Sequence, residues 1–473
     1  MTTDTKPIWR LRPGEQRALL VIGDLLMASI ALLAGIYFWF AGDAWLKKFS
    51  LEFFRLRVQF WFYLLPLAWM LLLVEIYDLH RAANWNRTLR TIFLAGIVGG
   101  VAYLLIYFTS DEPGRINRRA IAVFLILAMI LTLIWRWFYI RLITSHWQQR
   151  RALVVGAGGN GQTLAIFYKT LNPPPFILVA YIDDNPQKIG KDVEGYRILG
   201  SSEKLLKIIE EMNITDVIVS ITGEMQGKTF QTLLDVQERG IEITRMSTLY
   251  EELFGRVPIH HLESDWIIRS FVDEARAGTF FEFGKRVIDL IGSIVGLAIL
   301  ACLLPFLALA ILLDSGWPIF YSQERLGRGG REFKIIKFRT MQQDAEKEGK
   351  AQMTGEKDPR ITRVGNFMRI TRLDEIPQFW NVLRGEMSLV GPRAERAQWV
   401  RTFQDEIPFY RARLLVKPGL TGWAQINYGY AATVEDTAVK LEYDLFYIKH
   451  RSVAMDIVII LRTIGTVLGR RGR

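Results

Sequence analysis

The sequence holds a single cysteine, Cys302, and only five histidines among 473 residues. One cysteine excludes an internal disulfide framework and a zinc site built on cysteines. The histidines show no metal-ligand spacing, and no Ser-His-Asp constellation is visible. Apolar residues are not scarce: half of the chain is hydrophobic, which excludes a disordered chain. The length suffices for roughly three domains of about 150 residues, each with its own core and no staple. The formal net charge is +11, which suits nucleic acid, an anionic membrane surface or a phosphorylated substrate. Fourteen tryptophans favour the membrane among these, because Trp collects at bilayer interfaces. Tethering to a membrane makes nucleic acid an unattractive partner.

Charge is nearly missing from four long stretches near the N-terminus. Residues 18–40 are apolar except for Asp24, and 60–74 continue to Tyr77 past Glu75. Residues 91–110 carry no charge, and 120–135 run on past Arg136 to Ile140. Each approaches the ~20 residues that cross a hydrocarbon core of about 30 Å. The sequence therefore predicts a tail over 1–16 and four transmembrane helices within 17–147. The first run is too long for a signal peptide and lacks a clear cleavage site, despite Lys6, Arg10, Arg12 and Arg17 before it. Lys and Arg favour one set of flanks, eleven to seven. The positive-inside rule then places the N-terminus and everything after residue 150 in the cytoplasm.

Residues 150–250 read as a Rossmann-like α/β domain. A β-like run over 151–155 leads into Gly156-Ala-Gly158-Gly-Asn-Gly161 and a helical pattern. A second strand, 177–182, ends in Asp183-Asp184, about 20 residues beyond the glycines. Such glycines let a backbone approach a pyrophosphate while the acid, here Asp183, holds a ribose. A nucleotide is the ligand this pattern would take. A domain that has kept the turn and binds nothing is the other reading, and the pattern favours it. No Tyr-x-x-x-Lys pair accompanies it, which argues against hydride or epimerase chemistry. Residues 251–280 read as a linker.

A fifth apolar run, 290–313, is uncharged for its whole length. Basic residues flank both ends, Lys285 and Arg286 before it and Arg325, Arg328 and Arg331 after it. Pro305 lies inside and removes a helical hydrogen bond. A re-entrant helix over about 286–313, broken at Pro305, would keep both flanks on one side. A fifth full span is the other reading. Near the C-terminus, the apolar 455–468 lies between Arg451 and Arg470, and reads either as a membrane-surface helix or as an ordinary packed one.

The last third combines many arginines and lysines with a few fixed carboxylates. Arginine grips phosphate bidentately, and carboxylates hold Mg²⁺, which in turn bridges a diphosphate. A polar stretch, 342–358, reads as a solvated loop. The pair Asp374-Glu375 precedes Pro377 and an amphipathic run, so a helix cap with a solvated neighbour is its plain structural reading.

The motifs over about 190 residues are Lys285-Arg286 with Asp289, Gln323 with Arg325, Lys337-Phe-Arg339-Thr-Met341, Asp358-Pro-Arg360, and Leu373-Asp374-Glu375-Ile-Pro377-Gln378. Then follow Asn381-Val-Leu-Arg-Gly385, Met387-Ser388-Leu-Val-Gly391-Pro392-Arg393 and Lys417-Pro-Gly419-Leu-Thr421-Gly-Trp423-Ala-Gln425. In content and order they resemble the bacterial sugar transferases, the large monotopic phosphoglycosyl transferases. The four spans and the Rossmann-like domain are similar to that family's long form. The resemblance implies a membrane α-helical bundle joined to α/β domains, with a mixed α/β catalytic domain over 281–473 and the re-entrant helix.

It also implies a reaction: hexose 1-phosphate passes from a UDP-sugar to undecaprenyl phosphate, with loss of UMP. Asp374 would be the nucleophile, and Glu375 would hold Mg²⁺. Lys337, Arg339, Arg360, Arg372, Arg393 and Gln425 are the candidate substrate contacts, on charge and motif position. The setting implied is the cytoplasmic face of a bacterial inner membrane, among its lipids, with a homodimer as the expected assembly. One departure stands out: Ala394 follows Arg393 where the family usually has proline. A membrane-tethered nucleotide-sugar dehydratase or epimerase and a non-catalytic regulator of the same pathway are the competing readings.

Overall fold

The computed structural model describes residues 13–41, 53, 58–77, 82–109, 117–142, 150–171, 174–221, 223, 225–261, 279–342, 358–429 and 433–468. The chain divides into two compact units. One holds the described residues up to Val155 with Ala165–Val217 and Gly227–Ile243. The other holds Gly156–Leu164, Ile218–Gln226 and the described residues from Thr244 onwards.

The first unit begins with apolar helices. α1 (Pro13–Ala41), α3 (Trp85–Thr109) and α4 (Arg118–Leu142) are each long and apolar enough to cross a membrane. The second predicted span is not one helix. Residues Phe60–Leu64 form a 3-10 turn, α2 covers Leu65–Leu72, and Val74–Tyr77 is a further 3-10 turn. Pro66 in the first turn of α2 lacks the N–H that would continue an α-helix from the preceding turn. α1 and α4 approach closely, since a Cβ at Gly35 would lie 2.6 Å from the Ala120 carbonyl oxygen. Between them Asp24 pairs with Arg136 at 2.6 Å, both side chains fully buried. Arg136 also donates to the Ile76 carbonyl, and Trp69 donates to Thr132. Charges inside an apolar bundle persist only when paired in this way. The tail residues 1–12 lie outside the described residues.

The expected α/β region contains a four-stranded sheet with order β2-β1-β5-β6, where β1 (Arg151–Val155) and β2 (Ile177–Ile182) are parallel. β3 (Asp192–Val193) and β4 (Tyr196–Arg197) form a small hairpin, and β5 (Asp216–Val219) and β6 (Glu242–Arg245) complete the sheet. Gly156, at φ +105°, turns the chain out of β1, and α5 (Gly159–Thr170) starts at the glycines.

In the second unit the predicted linker is partly structured. α6 (Met246–Phe254) ends at left-handed Gly255, whose carbonyl accepts from Trp423 Nε1 at 2.7 Å. Val257 N–H donates to the Glu442 carbonyl, and buried Glu251 takes Lys449 and His450. The apolar Leu249, Tyr250, Val257 and Ile259 explain the docking, because all four are buried. Residues 262–278 of the predicted linker, like 343–357 of the predicted solvated loop, lie outside the described residues.

α7 (Thr279–Ser315) runs through Pro305 without ending, so the predicted break is not a helix terminus. Its small and polar face packs on its own unit. Asp289 accepts from Ser388 Oγ at 2.9 Å and Leu389 N at 2.8 Å, while Gly292 faces Leu389 and Gly296 faces Phe379. Further along, Ile311 packs with Phe338 and Met368. The opposite face leaves Phe283, Ile291, Val295, Ile299, Phe306 and Leu313 exposed.

Two short sheets follow. β7 (Phe320–Leu326) and β8 (Glu332–Phe338) are antiparallel, with Tyr321 opposite Lys337. β9 (Ser388–Val390) and β10 (Gly419–Thr421) are parallel. The core joins Val382, Met387, Val390, Leu441, Leu445 and Ile459. Leu441 and Leu445 come from α8 (Val434–His450) and Ile459 from α9 (Val453–Leu468). With Asp456, Ile459 and Arg462 buried, the C-terminal helix follows the packed reading over its described side chains.

Candidate active site

Asp374 and Glu375 lie in a 3-10 turn, Leu373–Gln378, that leads into the short helix Phe379–Arg384. Arg372, at φ 59°, turns the chain into it from the helix Arg363–Thr371. Neither carboxylate caps a helix by a side-chain hydrogen bond, and both are only 8% exposed. The cap-plus-solvated-neighbour reading therefore fails. Asn381 fixes this turn against β8: its Oδ1 accepts from Ile336 N at 3.3 Å, and its Nδ2 donates to the Lys334 carbonyl at 2.8 Å. That registration brings Lys337 to Glu375.

Glu375 is clamped. Its Oε1 takes Lys337 Nζ at 2.7 Å and Arg393 NH2 at 2.8 Å, and Arg372 stands 4.0 Å from Oε2. Burial alone would raise its pKa, but Arg393, Lys337 and Arg372 outweigh it and hold the carboxyl well below the usual range. Asp374 differs. Among the described residues it makes no hydrogen bond or ion pair, though Lys337, Arg393 and Arg369 act on it through space. Burial, and then the Glu375 charge, push its pKa above the ordinary 3.8. One carboxylate is thus anchored and ionised, while the other is poised and unpaired. Burial lowers the Lys337 pKa, and the Glu375 charge raises that of Arg393.

The predicted contacts separate. Lys337, Arg393 and Arg372 gather at Glu375. Arg339 does not: it is 6% exposed and donates to the backbone carbonyls of Ser315, Gly316 and Trp317, capping the C-terminus of α7. Both of its terminal nitrogens are taken up by the helix end. Arg360 forms a bidentate pair with Asp358, at 2.9 and 2.6 Å. Gln425 donates to the Leu420 carbonyl within its own turn. In the Rossmann-like region Asp183 is bound by Lys188 at 3.0 Å and by Asn185 N at 2.9 Å.

Sequence reading missed two residues. Arg369, whose Nε donates to Thr340 at 3.0 Å, places its charge near Asp374. Its position five residues before Asp374, one helical turn and a cap away, was the available signal. Arg413 is buried, paired with Asp444 at 2.9 Å, and donates to the Arg393 carbonyl at 3.2 Å. The turn at Ala394 is held without a second proline, since Arg325 donates to the Ala394 carbonyl and Leu326 N to that of Glu395.

The donor set bears on Mg²⁺. No group of three or more His, Cys, Asp or Glu side chains that could hold a metal occurs among the described residues. A cation here would take one protein oxygen, Glu375 Oε2, and complete its shell with phosphate and water. That is a usual mode for Mg²⁺, so the residues fit it.

With that geometry in view, comparisons place the chain. Residues 280–470 match the bacterial sugar transferase family, and 72–243 match a CoA-binding domain family. An Aeromonas hydrophila UDP-N-acetylgalactosamine-undecaprenyl-phosphate N-acetylgalactosaminephosphotransferase is 41% identical over 48% of this chain and 52% of its own length. A Xanthomonas campestris pv. campestris UDP-glucose:undecaprenyl-phosphate glucose-1-phosphate transferase is 32% identical over 60% of this chain and 59% of its own. An Erwinia amylovora UDP-galactose-lipid carrier transferase is 30% identical over 68% and 69%. The chain spans a little over half the length of the first two relatives. It belongs to the bacterial sugar transferase family.

Proposed function

We propose that this chain transfers hexose 1-phosphate from a UDP-sugar to undecaprenyl phosphate, releasing UMP. One observation carries the reading: a buried Asp374, unpaired among the described residues, lies beside a Glu375 clamped by Lys337 and Arg393. An unpaired carboxylate in a cationic surround suits nucleophilic attack on a phosphoryl group. The Asp374 carboxylate oxygen attacks the β-phosphorus of the donor. The bond from that phosphorus to the bridging oxygen breaks, and UMP leaves with the electron pair. A phosphate oxygen of undecaprenyl phosphate then attacks the same phosphorus. The bond to Asp374 breaks, the carboxylate is restored, and polyprenyl-diphosphate-hexose leaves.

Lys337, Arg393, Arg369 and Arg372 supply fixed positive charge where negative charge builds up. Glu375 holds Lys337 and Arg393 in place and would offer Oε2 to Mg²⁺. Bound Mg²⁺ supplies charge neutralisation at the diphosphate.

The membrane arrangement belongs to the same reading. Lys285 and Ser315, near the two ends of α7, both bond to this unit: Lys285 reaches the Val390 carbonyl at 2.9 Å, and Ser315 accepts from Arg339 at 2.7 Å. A helix tied at both ends to one domain, with an apolar outer face, supports dipping into a single leaflet over crossing. The site then meets cytoplasmic UDP-sugar and a lipid phosphate at the inner-membrane surface. Drawing the lipid tail into water would instead cost about 0.8 kcal/mol per CH₂. The relatives named above differ in the sugar they carry, so the hexose is left open.

The test is UMP release by nanodisc-embedded protein with Mg²⁺, undecaprenyl phosphate and a panel of UDP-hexoses, beside Asp374→Asn. Mg²⁺-dependent release with one sugar, lost in the variant, supports the reading. Release that survives in Asp374→Asn removes the aspartyl intermediate.

A further inference from the structure

The main chain around Arg393 is held at every step. The Pro392 carbonyl accepts from Gly419 N at 2.8 Å. The Arg393 carbonyl accepts from Arg413 NH2 at 3.2 Å, and the Ala394 carbonyl from Arg325 NH1 at 3.2 Å. The Glu395 carbonyl accepts from Leu326 N at 2.9 Å. The Arg393 side chain, by contrast, is 41% exposed. Packing therefore does little to direct it, and its aim at Glu375 depends on how the backbone beneath it is fixed.

Arg413 is the hold nearest to that side chain. It lies in the 3-10 turn Tyr410–Leu415 and is buried. Its NH1 donates to Tyr410 OH at 2.6 Å, and its NH2 serves both the Arg393 carbonyl and Asp444 Oδ2, the latter at 2.9 Å. Asp444 comes from α8 and is buried too, and the reaction proposed above gives it no part. A buried carboxylate is costly unless it is paired, and Arg413 is what pairs it. The neighbouring acid cannot take over in this geometry. Glu395 stands 3.7 Å from Arg413 NH1 and 3.7 Å from Arg325 NH1, beyond hydrogen-bond reach of both. A guanidinium is a planar fork, so a carboxylate that takes one hydrogen of NH2 sets where the other points. Here the other points at the Arg393 carbonyl. A neutral acceptor in place of Asp444 would bond more weakly, and the fork would be free to turn towards Glu395.

The path is continuous. Asp444 fixes Arg413, Arg413 fixes the main chain at Arg393, and the Arg393 guanidinium reaches Glu375 Oε1 at 2.8 Å, next to Asp374. We propose that Asp444, acting through Arg413, is a positioning residue for the phosphoryl transfer: it aims the Arg393 guanidinium at the carboxylate pair. This assignment rests on the reaction proposed above.

The test is a double-mutant cycle on full-length protein in nanodiscs, with UMP release measured for wild type, Asp444→Asn, Arg393→Met and the double variant. Asp444→Asn should lower kcat at least about tenfold while KM for the UDP-sugar changes less than about threefold. In the Arg393→Met background the same substitution should cost less than about twofold, because the residue it acts through is gone. Equal losses in both backgrounds would mark Asp444 as merely structural and overturn the proposal. A second arm needs no turnover: modification of Arg393 by an arginine-specific dicarbonyl, read by peptide mass spectrometry, with the exposed Arg384 as internal reference. Arg393 should react at least about threefold faster in Asp444→Asn than in wild type. Arg413→Lys, which keeps the charge but loses the fork, should do the same and serves if Asp444→Asn folds poorly. An unchanged Arg393 rate in both variants would overturn the proposal whether or not any sugar gives UMP release. Absence of release with a raised Arg393 rate would instead strike the reaction and leave the positioning path standing.

Discussion

Lys337 and Arg393 bond the same oxygen of Glu375 at nearly the same distance, yet their removal should not cost the same. The gross attraction of either pair is about 6 kcal/mol at an effective dielectric of about 20, and desolvation offsets most of it. What differs is water. The Lys337 side chain is 19% exposed and that of Arg393 is 41% exposed. A largely buried charge-assisted bond contributes about 1.5–3 kcal/mol, so Lys337→Met should destabilise by about 2–3 kcal/mol. Solvent screening reduces the Arg393 contribution to about 1 kcal/mol. For a unit of this size these figures correspond to losses of about 4–12 °C and about 2–4 °C in Tm. Either variant also raises the depressed pKa of Glu375. A depressed acid stabilises the fold above its unfolded pKa and loses that contribution as pH falls through its folded pKa. Wild type should therefore lose more stability than either variant as pH falls below the unfolded pKa of about 4.5. Scanning fluorimetry in nanodiscs between pH 4 and 8 reads both effects. Equal losses in Tm, or a larger loss for Arg393→Met, would refute the argument from exposure.

Asp374→Asn should raise Tm at pH 8 and change it little near pH 4, because a raised carboxyl is a strained charge only when ionised; UMP release should vanish at both. Glu442 is pushed by burial to about 7, so the native state holds a proton that the unfolded chain has released, and stability should fall as pH rises from about 4.5 to 7. Glu442→Gln should flatten that slope, with a gain at pH 8 of at most about 3 kcal/mol. Arg339→Met strands the carbonyls at the end of α7 and should cost about 2–4 kcal/mol with KM for the UDP-sugar little changed; a tenfold rise in KM at constant Tm would return Arg339 to the substrate. Gly419→Ala should abolish folded expression, since its Cβ would lie 2.1 Å from the Gly391 backbone nitrogen.

The fold was legible wherever one residue pattern admits one structure. Long apolar runs of span length became α1, α3, α4 and α7, and the strand-glycine-helix order became β1 and α5. It was less legible where a single residue competes with the pattern around it. Pro66 breaks a run of apolar residues into short turns. Pro305 does not end α7, because packing on both sides of it, through Gly296 and Ile311, holds the helix together. Residues 251–261 looked like a linker because they are few and mixed, and only their contacts with Glu442, Trp423 and Lys449 show them to be part of a domain.

The site shows the same limit at the level of side chains. Sequence reading can say that an arginine sits in a phosphate-handling segment, but a guanidinium serves a carbonyl cluster as well as a phosphate. Arg339 and Arg393 illustrate this, since both were singled out on charge and motif position. Arg339 follows directly on β8, whose end lies beside the last turn of α7, and unpaired carbonyls there attract all its terminal donors. Arg393 follows β9 and meets Glu375 instead, with its own carbonyl held by Arg413. The difference comes from what each strand end faces, a helix terminus in one case and a carboxylate in the other. Asp374 is the converse case: the role proposed for it rests on its having no partner among the described residues, and that leaves no trace in a sequence. Only the packing of Asn381 against β8, which aims the cations at Glu375 and leaves Asp374 unpaired, separates the two neighbouring acids.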